Sequence, residues 1–408
     1  MKKTLIAAVL TALTLTLLGT AAPASAYTPP PGAAFNDPDG TRAAQNRLAV
    51  RVRESIKSVP RHGVVRIAAY SFDRKDIADA LIGACRRGVS VQIVLNDNWT
   101  SRPTKRMRRI MGTRINPHWS DACHPRKRPD NPKKSDRKPY PTPSFVKICK
   151  ASCRGGAGNQ HMKFFTFSQA GRASNVLMTG SVNLTEFAAS THWNDMYTLV
   201  GKPRMYNSYA RVFRELAEDK RVNPRYRMVT NGDYVTEFGA RSNTTRATDP
   251  ILRRLNNIKC NYGRGKHTQM RIEMYAWAGT RGAYLASKVA DLDRRGCVVR
   301  AILSSSTQKV KRTLRRGGVQ VRSASMNLDG DRDTGWGGTP WERFTHEKYM
   351  TVNGWWNGGV HKVVWTGSEN WSQVSLINDE LTLRIPRAGA HADYTRHFNY
   401  LWTRRTRP

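Results

Sequence analysis

Hydrophobic runs of strand type and apolar positions at helical spacing alternate along the chain, and they do so twice. Arg66-Ile67-Ala68-Ala69-Tyr70-Ser71-Phe72 and Arg271-Ile272-Glu273-Met274-Tyr275-Ala276-Trp277 each read as a short buried strand. A helix is predicted after each, from Ile77, Leu81 and Ala84 in the first case and Leu285, Val289 and Leu292 in the second. Both helices stop at Arg-Arg-Gly, at Arg86-Arg87-Gly88 and Arg294-Arg295-Gly296, where cations complement the helix dipole and glycine takes the left-handed cap. A second strand follows, Val89 to Leu95 and Val298 to Leu303. Strand, helix, strand is a βαβ unit, with parallel strands covered by helices. The fold class is therefore α/β, with two homologous domains at 27–240 and 241–408 and the change of domain within 225–260.

The first half carries additional chain. There are 65 residues between Leu95 and His161 but 42 between Leu303 and His346. The excess lies at 119–154, which is rich in proline and holds Arg126, Lys127, Arg128, Lys133, Lys134, Arg137 and Lys138. Repeated proline excludes a regular helix or a central strand, so a basic loop pinned by cysteines is expected. Two readings stand: a solvated insertion, or an arm beside the site that grips a polyanion, with Arg126, Lys127 and Arg128 as substrate-binding residues. The whole chain of 408 residues has 68 Lys+Arg against 30 Asp+Glu, a net charge of +38. That argues against a small uncharged substrate and for a nucleic acid, an anionic membrane or another polyanion.

Residues 1–26 have the form of a secretory signal peptide: Lys2 and Lys3, an apolar run from Leu5 to Leu18, then Ala24-Ser25-Ala26. The run is short for a membrane anchor, so a secreted, extracellular protein cleaved after Ala26 is expected. Six cysteines then favour disulfides. Cys260 is expected to pair with Cys297, and Cys123 with Cys149 or Cys153. A zinc site from Cys123, His124, Cys149 and Cys153 is the alternative, without the paired spacing of most structural sites.

Each half ends in the same residues. His161-Met162-Lys163 precedes Gly180-Ser181-Val182-Asn183, and His346-Glu347-Lys348 precedes Gly367-Ser368-Glu369-Asn370. The His-to-Ser separations are 20 and 22. Strand-like runs follow each Lys, so His and Lys, two apart, share a face. Together the halves offer two imidazoles, two cations and two amide donors. That set suits a phosphodiester, whose charge grows in the transition state. One neutral His can attack phosphorus and the other, protonated, can serve the leaving oxygen. The lysines supply the positive charge, so neither a metal nor a cofactor is expected.

These duplicated motifs resemble the phospholipase D superfamily, whose signature is H-x-K-x₄-D followed by G-S-x-N. The resemblance covers roughly 60–200 and 265–385. It implies two phospholipase D-like α/β domains about a pseudo-twofold axis, with the active site at their interface and a phosphohistidine intermediate. It places catalysis on His161, Lys163, Asn183, His346, Lys348 and Asn370, with His161 as nucleophile and Ser181 and Ser368 near substrate. It also implies an acid after each G-S-x-N that orients a histidine: Asp195 and Glu380. The motif Asp positions hold Ser168 and Asn353 instead. A secreted phospholipase D acting on a phospholipid or membrane surface is the first expectation. A metal-independent nuclease of the same superfamily is the second, and a non-catalytic polyanion-binding protein the third. No protein partner is implied, and a monomer is expected. Asp329, Asp331 and Asp333 resemble the start of a calcium loop but lack its Gly and Glu, leaving a surface loop. Trp336, Trp341, Trp355, Trp356, Trp365 and Trp371 flank the second motif, half or more of them as core.

Overall fold

A computed structural model describes residues 26–115, 123, 143–239, 243–328 and 342–407. The first half runs β1 (Gly32–Phe35), α1 (Arg42–Lys57), β2 (Val64–Ala69), α2 (Lys75–Arg86), β3 (Ser90–Asn96), α3 (Arg102–Met111), β4 (Phe145–Cys149), β5 (Phe164–Ala170), β6 (Ala173–Gly180), α4 (Glu186–Thr191), β7 (His192–Trp193), β8 (Asp195–Leu199) and α5 (Pro203–Glu218). Then come β9 (Arg227–Asn231), β10 (Tyr234–Phe238), α6 (Pro250–Asn256), β11 (Ile258–Lys259), β12 (Gln269–Ala278), α7 (Gly279–Arg294), β13 (Val298–Ser306), α8 (Gln308–Arg316), β14 (Gln320–Ser323) and β15 (Ser325–Met326). The chain closes with β16 (Arg343–Thr345), β17 (Lys348–Trp356), β18 (Gly359–Gly367), β19 (Trp371–Ser372), β20 (Leu381–Ile385) and α9 (Ala388–Arg404).

The repeat is visible in the strand order. The first sheet is β1-β8-β6-β5-β2-β3-β4, and the second contains β14-β13-β12-β17-β18-β20-β10-β9. The run β8-β6-β5-β2-β3 thus has its counterpart in β20-β18-β17-β12-β13. In both, the βαβ pair is parallel and the motif strands are antiparallel. The hairpin of β9 and β10 joins the second sheet through β20. Three apolar clusters fix the layers. One packs α1, α2 and α3 on the first sheet, and another packs α6, α7 and α8 on the second. Between the sheets lies the third, with Phe164, Leu177, Tyr209 and Phe213 from the first half and Tyr349, Val364, Leu383 and Tyr394 from the second.

Three disulfides are formed: Cys85–Cys123, Cys149–Cys153 and Cys260–Cys297. The third is the expected one, but Cys123 does not pair with Cys149 or Cys153. Cys123 is tied by its amide to the Ile110 carbonyl at 3.0 Å, which brings it beside the end of α2 and Cys85. A tight turn after β4 returns Cys153 onto Cys149. No thiolate remains among the three for zinc. Closing loops of 38 and 37 residues stabilises far more than closing one of 4. Chain entropy gives roughly 4 kcal/mol for each long loop and about 2 for the short one. Urea unfolding of the Cys→Ala double variants should therefore rank Cys85/Cys123 and Cys260/Cys297 well below Cys149/Cys153 in midpoint.

Of the basic insertion, Cys123 and residues 143–154 are described. Phe145–Cys149 forms the edge strand β4, parallel to β3. Arg154 is fully buried on Glu215 at 2.9 Å and does not belong to a gripping surface. Arg126, Lys127, Arg128, the signal segment 1–25, the Asp329–Asp333 loop, Trp336 and Trp341 lie outside the described residues. Trp356, Trp365 and Trp371 are core. No helix among the described residues is long and apolar enough to cross a membrane.

Candidate active site

Each histidine stands in the turn before its motif strand, and each is held by the opposite half. The His161 amide donates to the Asp379 carbonyl at 3.0 Å, and the Asp379 amide donates back to Asn159 O at 2.8 Å. His346 N–H donates to Trp193 O at 2.9 Å, next to the parallel pairing of β16 with β7. The glycines opening G-S-x-N permit a close approach within each half, of β6 to β8 and of β18 to β20. A Cβ on Gly180 would lie 2.3 Å from Asp195 O, and one on Gly367 2.2 Å from Leu381 O.

The ring nitrogens follow the same exchange. His161 Nδ1 lies 2.9 Å from both carboxylate oxygens of Glu380. His346 Nδ1 lies 3.1 Å from Ser181 O and 3.2 Å from Asn194 Oδ1. In both cases Nδ1 is occupied and Nε2 is left for chemistry. Asp195 is not the counterpart of Glu380. The Ser181 hydroxyl bonds Asn194 Oδ1 at 3.2 Å, as the Ser368 hydroxyl bonds Glu380 Oε2 at 2.5 Å. Ser181 N–H donates to Asp195 O as Ser368 N–H donates to Leu381 O. Asp195 therefore matches Leu381, and the residue matching Glu380 is Asn194. One step along an extended chain reverses the face, so Asp195 turns inward to accept from Tyr394 at 2.7 Å and from Thr366. The same bonds bury both serine hydroxyls behind the histidine partners, away from the substrate side expected for them.

Lys163 Nζ donates to its own histidine's carbonyl at 2.6 Å, and Lys348 Nζ donates likewise to His346 O. Each ammonium also lies over a tyrosine ring, Lys163 at 5.4 Å from Tyr70 and Lys348 at 5.0 Å from Tyr275. The two rings contact the histidines as well, at 5.2 Å for Tyr70–His161 and 4.8 Å for Tyr275–His346. Burial pushes the His161 imidazole down to about 4, against the pull of Glu380. Burial raises Glu380, but the His161 ring, Lys163 and the Ser368 hydroxyl outweigh it and hold the carboxyl below its usual range. Burial, then the neighbouring lysine, lowers Lys163 and His346 well below their ordinary values. Burial brings Lys348 to about 7. An anion entering the cleft restores charge to such groups, so binding of inorganic phosphate at about pH 8 should take up protons. Calorimetry in buffers of different ionisation enthalpy would read that uptake, and a buffer-independent heat would contradict it.

The cleft has a volume of about 560 Å³ and is lined by both histidines, Asn183 and Asn370. Asn370 Oδ1 accepts from Ala276 N–H at 3.2 Å, which aims its amide, whereas buried Asn183 Oδ1 has no partner. Aromatic walls come from Tyr70, Trp99, Phe187, Tyr275 and Phe344. His192 also lines it, stacked on His346 at 4.9 Å and lowered to about 3 by burial. Sequence reasoning missed Asn194, His192 and the two tyrosines. The tyrosines had a signal, since both occupy the fifth place of the repeated strand that begins Arg-Ile. At the motif Asp positions, the Ser168 hydroxyl accepts from Val64 N–H at 2.8 Å, a purely structural bond. Asn353 lies in β17 opposite Gln269.

A family profile described as "Cardiolipin synthase, PLD-like domain" matches residues 61–217 and 265–402. No curated protein matches the sequence. Among solved structures, phosphatidylserine synthase from Haemophilus influenzae aligns over 92% of this chain and 87% of its own, with 10% identity and a TM-score of 0.57. Polyphosphate kinase from Porphyromonas gingivalis aligns over 90% of this chain at 14% identity and a TM-score of 0.53. This chain spans about half of that kinase's length (49%). Nuc from Salmonella typhimurium, a phospholipase D family member, is 20% identical over 46% of this chain and 93% of its own, with a TM-score of 0.28. The first two likenesses are of fold. The profile match takes in both halves, each with its H-x-K and G-S-x-N residues, and the chain therefore belongs to the family of cardiolipin synthase PLD-like domains, within the phospholipase D superfamily.

Proposed function

We propose that the chain is a secreted, monomeric phosphodiesterase that cleaves the head-group phosphodiester of a phospholipid through a phosphohistidine. The carrying observation is the pair of histidines from two halves in one cleft, each fixed at Nδ1. His161 Nε2 attacks phosphorus, and the bond from phosphorus to the leaving oxygen breaks as His346 gives that oxygen a proton. Water then attacks phosphorus, His346 takes its proton, and the phosphorus–nitrogen bond breaks. Lys163, Lys348, Asn183 and Asn370 stabilise the charge on the phosphoryl oxygens. The family's description favours a phospholipid. So does an apolar rim, where Val374 of the cleft and nearby Ile377 are 47% and 46% exposed. Three disulfides suit an oxidising compartment.

A specific observation favours nucleic acid as the second reading. Helices α3 and α8 occupy equivalent places in the repeat, contain no acid, and expose Arg102, Lys105, Arg108 and Arg109 on one and Lys309, Arg312, Arg315 and Arg316 on the other. Purified protein should be assayed side by side on phosphatidylcholine and phosphatidylglycerol vesicles, plasmid DNA and RNA. Turnover confined to nucleic acid would reverse the order of the two readings. Because lysines supply the charge, turnover is expected to persist in excess EDTA. Loss on chelation with recovery on adding Mg²⁺ or Ca²⁺ would defeat that division of labour.

A further inference from the structure

The two histidines are held by chemically different partners, and a further inference, which rests on the two-histidine reading above, concerns the neutral one. Glu380 gives His161 an anionic acceptor. His346 has two neutral acceptors, Ser181 O and Asn194 Oδ1. The orientation of the Asn194 amide is fixed from its other end. Its Nδ2 donates to Ala188 O at 3.1 Å and His192 O at 3.3 Å, so the oxygen faces the ring. Its backbone N–H is tied in turn to Asn36 Oδ1 at 2.8 Å. His346 is thereby held as the Nδ1–H tautomer with its Nε2 lone pair free. A carboxylate would neutralise the imidazolium, whereas an amide and a peptide carbonyl offer only dipoles. Burial first, then Lys348 and Lys163, oppose a positive charge on this ring, and the Tyr275 ring packs against it at 4.8 Å.

We infer that Asn194 is a positioning residue that keeps His346 neutral in the empty cleft, so that His346 becomes an acid only when a phosphate anion lies against it. The proton is taken from solvent as the phosphodiester binds and passes to the leaving oxygen. A second proton, from the attacking water, then occupies His346 and returns to solvent when product leaves. His161 needs no such arrangement, because Glu380 compensates the charge that its ring acquires on phosphorylation.

The test is long-range ¹H–¹⁵N spectroscopy of the full chain labelled at histidine, at about pH 6, without and with saturating inorganic phosphate. His346 should show the neutral Nδ1–H pattern alone and the imidazolium pattern with phosphate. A charged His346 in the free protein, with phosphohistidine still trapped on His161, would overturn this inference and leave the reaction standing. No phosphate effect on either ring would overturn both. Asn194→Asp supplies a second readout. It should move the basic limb of the kcat/KM–pH profile upward by about one unit or more, and a folded variant with an unmoved limb would also overturn the inference. The new carboxylate faces the Ala188 and His192 carbonyls, so a thermal melt accompanies it. If the variant does not fold, the spectra of the unaltered protein decide.

Discussion

His161→Ala and His346→Ala should each lower kcat by about 10⁴-fold, with the fold retained. The size follows from their acting as one unit: without the nucleophile no phosphoenzyme forms, and without the acid the alkoxide leaves unprotonated. Each loses a different step, which makes the assignment checkable. On a natural phosphodiester both variants should be inactive. On a p-nitrophenyl phosphodiester, whose leaving group needs no proton, His346→Ala should still form phosphoenzyme in a single turnover, and His161→Ala should not. Label trapped on His346 would exchange the two roles. Two single variants that keep most of their activity would remove the mechanism altogether.

Glu380→Gln should cost about 10³–10⁴-fold, the scale seen when a carboxylate behind a catalytic imidazole becomes an amide. Glutamine can still accept from Nδ1–H, as Asn194 does at His346, so the ring is expected to stay in place. What is lost is the negative charge that offsets a phosphoimidazolium. The carboxyl is held below its usual range in the fold, by the His161 ring and Lys163 outweighing burial. The contribution of that pair to stability is therefore present above the ordinary carboxylate pKa and lost as pH falls through the lowered one. Pre-steady-state phosphoenzyme formation should slow in step with kcat. A variant within tenfold of the unaltered enzyme would show that the carboxylate does no more than orient the ring.

Much of this arrangement was legible in the sequence because the chain states it twice. The strands at Arg66 and Arg271, the helix stops at Arg-Arg-Gly and the two H-x-K motifs have the same order in each half, and the sheets repeat that order. The cleft residues His161, His346, Asn183 and Asn370 could be named from that duplication. Asp195 could not be placed correctly, because spacing alone does not fix which face a residue takes. The two halves have different numbers of residues between G-S-x-N and the following strand, and an acid beside Asn194 drew the alignment one position too far. Cys85 was likewise unreadable as the partner of Cys123. That pairing depends on where the chain after α3 comes back to α2, a tertiary fact with no local signal.

The exchange of partners between the halves has a consequence for when the protein becomes active. Position 161 is synthesised early, but the carboxylate that serves it is 219 residues further on. The backbone acceptor of the His346 amide, Trp193 O, lies in the opposite half as well. A growing or truncated chain, even one with a fully folded first half, holds a histidine with nothing behind it. On the proposed mechanism, competence requires both halves to be folded together. A first-half fragment is therefore expected to present His161 without the carboxylate that the proposed reaction requires of it.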